Sequence, residues 1–75
     1  MVSILFRSNL HEELNLDEKI DIYFKQGMTS RNVFESLGID ETLLGMIVKD
    51  GLCIMPSDLI NDGDIIELYP VYLGG

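Results

Sequence analysis

The sequence predicts a single α+β domain, in which one mixed sheet of about five strands packs on one main helix. Three observations support this prediction: short runs in which apolar residues alternate, one stretch with helical spacing, and an Asp-Gly step between two apolar runs. Strand-like runs lie on both sides of the helical stretch, which is the order expected when strands and a helix share one core. A chain of 75 residues has the length of one small domain.

Two alternating runs near the N-terminus predict the first two strands, Val2–Arg7 and Lys19–Lys25, which we expect to pair antiparallel. Their inward-facing residues are Val2, Ile4 and Phe6 in the first run and Ile20, Ile22 and Phe24 in the second. Between the two runs, Ser8–Glu18 is polar and acidic. It is interpreted as a connection that contains a helical turn.

The helical pattern covers Ser30–Leu37. Thr29 or Ser30 can cap its start, because a side-chain oxygen there accepts a hydrogen bond from a free backbone N–H of the first turn. Gly38 suits the left-handed position that follows a helix. A helix of this length is marginal by itself, so we expect it to pack on the sheet. The apolar face of the helix consists of Val33, Phe34 and Leu37.

The apolar runs Leu44–Lys49 and Leu52–Met55 predict a hairpin. Asp50-Gly51 joins them, and Asp-Gly is the favoured two-residue hairpin turn because both central residues need a positive φ. Pro56-Ser57 ends the hairpin, and Leu59-Ile60 is expected to anchor a short turn.

The turn Asn61–Asp64 leads into the last predicted strand, Ile65–Tyr69. Because side chains alternate along a strand, Ile66 and Leu68 should face the helix. The opposite, outer face would then carry Leu5 together with Ile65, Glu67 and Tyr69. This face is either a docking patch or the ordinary scatter of apolar residues on a surface, and the sequence favours neither. With the helix between the second and third strands, the element order is that of a β-grasp.

The composition argues against several classes of function. A net charge of -8 argues against a nucleic-acid partner, because phosphate repulsion would outweigh five scattered Lys and Arg residues. No apolar run approaches the ~18 residues of a membrane span, and Met1–Arg7 is too short for the apolar core of a signal peptide. We therefore expect a cytoplasmic protein that does not bind membranes.

The sequence offers no set of residues typical of catalysis or metal binding. Cys53 is the one cysteine, which excludes an internal disulfide, and its apolar neighbours predict a buried thiol. His11 is the one histidine and has no cysteine near it, so we expect no metal site. Without a Ser/His/Asp set, a phosphate-binding glycine loop or a carboxylate pair in a pocket, the chain is predicted not to be an enzyme by itself.

The C-terminal segment is unusual for a folded domain, because Leu68–Gly75 carries no charged side chain and ends on two glycines. Pro70 lacks a backbone N–H, so we expect β pairing to stop there and residues 70–75 to form an exposed, flexible tail. Glycine has no Cβ, which lets its backbone pass through a narrow channel. A segment without side-chain charges would enter a partner's groove with only its carboxylate to desolvate.

These features together resemble the MoaD/ThiS family of ubiquitin-like sulfur carriers. The resemblance covers nearly the whole chain, and it rests on the strand order, the turn Asp62-Gly63-Asp64, the strand after it, Tyr69-Pro70 and the terminal Gly74-Gly75. Tyr69-Pro70 is similar to the aromatic-proline step of the molybdopterin synthase small subunit, whereas the thiamine-pathway carrier usually lacks that proline. Tyr72 and Leu73 are bulkier than the residues usual before Gly-Gly in this family.

The resemblance implies a function for the C-terminal carboxylate of Gly75. A ubiquitin-activating-type adenylyltransferase (MoeB/ThiF-like) would transfer AMP from ATP onto it, and a persulfide sulfur donor would then convert it to a thiocarboxylate. The thiocarboxylate would deliver sulfur to a synthase (MoaE-like, or ThiG-like). The partner enzyme would consume the ATP, and no cofactor is expected to stay bound to the chain.

The tail residues that would bind these partners are Gly74, Leu73, Tyr72, Val71, Pro70 and Tyr69, and the outer face adds Ile65 and Leu5 as candidates. The pathway that the resemblance favours is molybdopterin biosynthesis, which supplies the molybdenum or tungsten cofactor. Several alternatives stay open: a sulfur carrier for thiamine or for tRNA thiolation, a ubiquitin-like modifier conjugated to lysines through Gly75, and an interaction module whose glycines are only a frayed end.

Overall fold

The computed structural model describes residues 1–71, which form a five-stranded mixed sheet with two helices and a 3₁₀ turn. In chain order the elements are β1 (Val2–Phe6), α1 (Leu10–Leu14), β2 (Lys19–Ile22), α2 (Ser30–Leu37), the 3₁₀ turn (Glu41–Leu43), β3 (Leu44–Lys49), β4 (Leu52–Ile54) and β5 (Ile65–Pro70). The predicted α+β class and β-grasp arrangement are confirmed.

The strands lie across the sheet in the order β2-β1-β5-β3-β4. β1 and β5 are parallel neighbours near the centre, and the other neighbouring pairs are antiparallel. A parallel pair cannot be joined by a tight hairpin, so the chain has to cross the sheet between β1 and β5. The predicted antiparallel pairing of the first two strands is confirmed, with Ile4 opposite Ile20.

Local signals determine both ends of α2. The Thr29 hydroxyl accepts a hydrogen bond from the Asn32 N–H at 3.3 Å, and the Asn32 side-chain oxygen accepts one from the Thr29 N–H at 2.9 Å. This reciprocal capping box satisfies two N–H groups at the start of the helix. Gly38 ends the helix with a φ of 69°. The predicted bounds are confirmed, and no helix among residues 1–71 is long and apolar enough to cross a bilayer.

The β3–β4 hairpin follows the predicted turn. Asp50 and Gly51 have φ values of 53° and 77°, so both central residues are left-handed, as the favoured two-residue turn requires. β4 ends at Ile54, one residue earlier than predicted, because the Met55 N–H donates to the Asp58 carboxylate at 2.7 Å.

The core lies between one face of the sheet and the apolar face of α2. The buried apolar side chains are Val2, Ile4, Phe6, Leu10, Met28, Val33, Phe34, Ile39, Ile47, Ile60, Ile66 and Leu68. The predicted inward faces of the first and last strands are therefore confirmed. The Ser8–Glu18 connection contains the predicted helical turn as α1, which contributes Leu10 to this core.

Two other expectations are corrected. The second strand ends at Ile22 instead of Lys25, because Ile22 pairs with Val2, the first residue of β1. Leu59 is 62 % exposed and does not anchor its turn, which is held by the buried Ile60. Adjacent residues of an extended backbone point to opposite sides, so only one of them can face the core.

The prediction of a buried thiol at Cys53 is also wrong. Cys53 is exposed, since β4 is an edge strand of the sheet. It lies opposite Val48 on the face that points away from the core. The apolar neighbours of Cys53 in the sequence did not reveal that its strand would lie at the edge.

Candidate functional site: the end of β5 and the outer face of the sheet

β5 leads the chain to the proposed site. Beyond its last residue, Pro70, the side chain of Val71 is 57 % exposed. A cleft of about 270 Å³ lies at this point, lined by Glu13 of α1 and by Leu43, Pro70 and Val71. The predicted site residues Tyr72, Leu73, Gly74 and Gly75 lie outside the described residues.

Pro70 belongs to the sheet, so the expectation that pairing stops at this residue is wrong by one position. It is half-buried and lies opposite Leu44 of β3. A proline still has a carbonyl acceptor, and sheets accept proline where the ladder is irregular. The register between β3 and β5 shifts between Leu44 and Met46, directly opposite Pro70. Within residues 1–71, the first exposed residue after this strand is therefore Val71.

Gly45 lies within that irregularity and allows the two strands to approach closely. A Cβ on Gly45 would overlap the carbonyl oxygen of Pro70 and would lie 2.9 Å from the Val71 Cα. Non-bonded carbon atoms pack best at about 3.5–4.0 Å, so this position requires glycine. Gly45 was not among the site residues predicted from the sequence. The available signal was a glycine inside an apolar strand run, which often marks a bulge or a close backbone approach.

The outer face of the sheet carries the apolar and polar side chains of Ser3, Leu5, Arg7, Lys19, Asp21, Met46, Val48, Cys53, Ile65, Glu67 and Tyr69. Strand pairing places Leu5 and Val48 on the two sides of Glu67, and Met46 beside Tyr69. Ile65 is 54 % exposed, whereas the next residue, Ile66, is 1 % exposed on the core side. Within residues 1–71, nothing packs over this face as α2 packs over the other.

A polar cluster lies at the centre of the outer face. The Arg7 Nε donates to the Glu67 Oε2 at 2.9 Å, and the Tyr69 hydroxyl donates to the same oxygen at 3.3 Å. A partner that covers this face would bury a carboxylate that already has two donors. Such a group costs less to desolvate than an unpartnered charge.

Three predicted site residues therefore share one surface. Leu5, Ile65 and Tyr69 lie on the outer face as expected, with Pro70 and Val71 at its end. Their role in partner binding stays a prediction. The sequence analysis missed other members of the surface, namely Arg7, Met46 and Val48. Their alternation with inward residues was visible in the sequence, but which strands are neighbours was not.

Two further ion pairs lie in connecting segments. Arg31 of α2 donates to both carboxylate oxygens of Glu41, at 3.0 and 3.1 Å. These hydrogen bonds raise the pKa of Arg31 and lower the pKa of Glu41. The Met1 ammonium lies 2.7 Å from Asp62, and its hydrogen bond lowers the pKa of that carboxyl. Both pairs tie loops to the fold.

Within residues 1–71, no group of three or more His, Cys, Asp or Glu side chains is arranged to hold a metal ion.

Comparison with known proteins agrees with this architecture. The profile of the family described as "Mut7-C ubiquitin" matches residues 1–73. Among solved structures, the chain is similar to "Putative molybdopterin converting factor, subunit 1" from Pyrococcus furiosus, with a TM-score of 0.72 and 15 % sequence identity over 92 % of this chain and 94 % of that chain. At this identity the likeness concerns the fold, and together with the family profile it confirms the predicted ubiquitin-like β-grasp. Because the family profile spans nearly the whole chain, this protein belongs to the Mut7-C ubiquitin family.

Proposed function

We propose that this chain is a ubiquitin-like sulfur carrier, whose C-terminal Gly75 carboxylate is adenylated and then converted to a thiocarboxylate. One observation supports this function best. β5 ends at the rim of a sheet face that no element within residues 1–71 covers, and the sequence beyond it, Val71–Gly75, has no charged side chain. Such a segment brings only its terminal carboxylate into a partner's active site. The chain is then a co-substrate of partner enzymes and not an enzyme by itself.

The carboxylate needs activation because nucleophilic attack on it would add negative charge to an anion. Its reaction with ATP forms an acyl adenylate and releases pyrophosphate. A persulfide on the sulfur donor then attacks the acyl carbon, AMP leaves, and an acyl disulfide forms. A second thiol reduces the S–S bond of this intermediate, which releases the thiocarboxylate and leaves a disulfide on the donor. ATP and reducing thiols are both available in the cytoplasm, where we expect the protein to act.

The outer face is the surface that we expect the partners to bind. Leu5, Ile65 and Tyr69 would contact first an adenylyltransferase of the ubiquitin-activating type (MoeB/ThiF-like) and then a sulfur-accepting synthase (MoaE-like). Because both partners need the same face and the same terminus, they would bind one after the other. Basic groups around the partner's groove would favour association with a chain of net charge -8.

Molybdopterin biosynthesis is the pathway that we favour. The Tyr69-Pro70 step and the similarity of the fold to a protein named as a molybdopterin converting factor subunit both support this choice. Thiamine synthesis, with a ThiG-like acceptor, and tRNA thiolation use the same carboxylate chemistry, so they remain alternatives. Conjugation to lysines through Gly75 would require the same activation but an amide product.

Mass spectrometry of the C-terminal peptide tests the proposal directly. The chain would be purified from its own host through an N-terminal tag, and its C-terminal peptide would be examined with and without alkylation. A carrier carries sulfur in place of one oxygen at Gly75, and this group reacts with the alkylating agent. Gly-Gly remnants on lysines of other proteins would instead identify a modifier. The variant Ile65→Asp tests the outer face separately, because it keeps the C-terminus but adds a charge to that face. It should reduce the thiocarboxylate fraction.

A further inference from the structure

The edge strand β2 has one side that is not paired within residues 1–71, where its single neighbour is β1. The Phe6 N–H donates to the Glu18 carbonyl at 2.9 Å, which makes these two residues a hydrogen-bonded pair. Such pairs alternate along an antiparallel ladder, so Ile20 also directs its N–H and C=O toward β1. Lys19 and Asp21 therefore direct theirs to the free side. Four backbone hydrogen-bonding groups on this edge can receive another strand.

A groove of about 630 Å³ runs beside this edge, between the end of β2 and α2. Ile22, Met28 and Leu37 provide its apolar lining, and Asn32 and Ser36 provide polar groups from the helix. Tyr23, which also lines the groove, is 82 % exposed. Side chains alternate along an added strand, so every second side chain of a bound peptide would point toward the groove.

The two basic side chains that form no ion pair within residues 1–71 lie at opposite ends of this edge. The paired ones are Arg7 with Glu67, Arg31 with Glu41 and Lys49 with Asp64, at 2.9–3.0 Å. The remaining two of the five are Lys19, on β2, and Lys25, which lines the groove. The one carboxylate among the lining residues, that of Asp21, already accepts a hydrogen bond from the Ser3 hydroxyl at 2.7 Å. Asp17 and Glu18 precede Lys19, at the end of β2 away from the groove.

We propose that the β2 edge and this groove bind an extended, acidic peptide segment of a partner protein. The segment adds a strand beside Lys19 and Asp21, seats an apolar side chain against Ile22 and Leu37, and pairs acidic side chains with Lys19 and Lys25.

This site is distinct from the tail, although the side chains of Lys19 and Asp21 point to the same face of the sheet as Leu5 and Ile65. Ile22 lies opposite Val2, at the start of β1, whereas the chain leaves β5 at the other end of the parallel β1–β5 pair, beside Arg7. A partner bound to the β2 edge would leave the C-terminus accessible. The proposal therefore does not depend on sulfur transfer, and each can fail without the other.

NMR titration of the full-length ¹⁵N-labelled chain tests the proposal. The probe is a blocked peptide with a Val-Ile-Val core and two aspartates at each end. We expect the amide resonances of Lys19 and Asp21 to shift and their hydrogen exchange to slow, while those of Val48 and Val71, which are remote from β2, stay unchanged. A peptide with lysines in place of the aspartates should bind about tenfold more weakly, the sum expected for two partly exposed ion pairs.

N-methylation of the core amides that face β2 should abolish binding, whereas N-methylation of the alternate amides should not.

Variants of the protein locate the charge contribution. Lys19→Gln combined with Lys25→Gln should weaken binding of the acidic peptide about tenfold, and arginine at both positions should restore it. Both side chains are on the surface, so the fold should survive either change. Equal binding of the two peptides, shifts confined to β3 and the end of β5, or an absence of binding would each overturn the proposal.

Discussion

The Nε of Arg7 lies 2.9 Å from the Oε2 of Glu67, so an ion pair joins β1 to β5 at the centre of the outer face. Leu5 lies directly opposite Glu67, and Arg7 follows two residues later on the same face. The side chains of Arg7 and Glu67 are 43 % and 28 % exposed, respectively. An ion pair with this much access to water is worth little to folding, so we expect its main effect to appear when a partner covers the face.

A double-mutant cycle with Arg7→Gln and Glu67→Gln should give a coupling energy below about 1 kcal/mol, and high salt should reduce it further. Urea unfolding of the four proteins at low and high ionic strength measures this value. Each single variant should bind the adenylyltransferase more weakly than the double variant does. A single change leaves one charge to be buried in the complex without its partner. Equal affinities for the single and double variants would contradict this role.

Gly45→Ala should disturb the end of β5. The added Cβ overlaps the Pro70 carbonyl oxygen and crowds Val71, and overpacking of this kind costs about 1–3 kcal/mol. We expect lower stability in urea together with NMR shift changes at Val71. Gly51→Ala is the matched control, since its cost comes from a φ of 77° and its Cβ would meet no atom within 4 Å. Shift changes at Val71 in the control as large as those in Gly45→Ala would count against the proposed contact.

Phe34→Ala should lower the free energy of unfolding by roughly 3–5 kcal/mol, because it removes a ring that is 1 % exposed in the core. If this variant does not fold, Phe34→Leu should fold with a smaller loss. Tyr23→Ala removes an aromatic ring that is 82 % exposed and should change stability by less than about 0.5 kcal/mol. Urea titrations of the three variants provide the comparison. Similar losses for Phe34→Ala and Tyr23→Ala would show that the core is assigned wrongly.

The elements that could be predicted from the sequence are those determined by neighbouring residues. Thr29 and Gly38 mark the two ends of α2, and the hairpin follows from the two left-handed residues Asp50 and Gly51. In each case the hydrogen bonds or dihedral angles involve residues a few positions apart. Such signals do not depend on which strands become neighbours.

The features that were missed depend on contacts between distant parts of the chain. Arg7 and Glu67 are 60 positions apart, and they meet only because β1 and β5 are parallel neighbours. Gly45 needs to be glycine only because β3 has an irregularity where it passes Pro70. The exposure of Cys53 follows from the position of β4 at the sheet edge, which its apolar sequence does not show.

Stability should fall in acid partly through the Arg31–Glu41 pair. The hydrogen bonds that Arg31 donates to the Glu41 carboxylate lower the pKa of Glu41 below the ordinary value of 4.5. A carboxyl with a lowered folded-state pKa stabilises the fold above its ordinary pKa, and the contribution disappears as the pH falls through the folded-state value. Urea unfolding between neutral and acidic pH should therefore show a shallower decline for Glu41→Gln than for the parent chain. Thr42→Ser, in the same 3₁₀ turn, should keep the parental slope.

Deletion of Gly75 should abolish adenylation without lowering the melting temperature. Every side chain of the buried core that the structure describes lies at or before Leu68, so the terminal residue is not needed for folding. The new terminus would still be a glycine carboxylate, but it would reach one residue less far, about 3.3–3.6 Å of extended chain, into the partner's active site.

Gly75→Ala keeps the reach and adds one Cβ, and it should slow adenylation without stopping it. Pyrophosphate release with the cognate adenylyltransferase and thermal unfolding of each variant measure the two effects. Undiminished adenylation of the shortened chain would contradict the assignment of Gly75, and a large fall in its melting temperature would contradict a tail that is separate from the core.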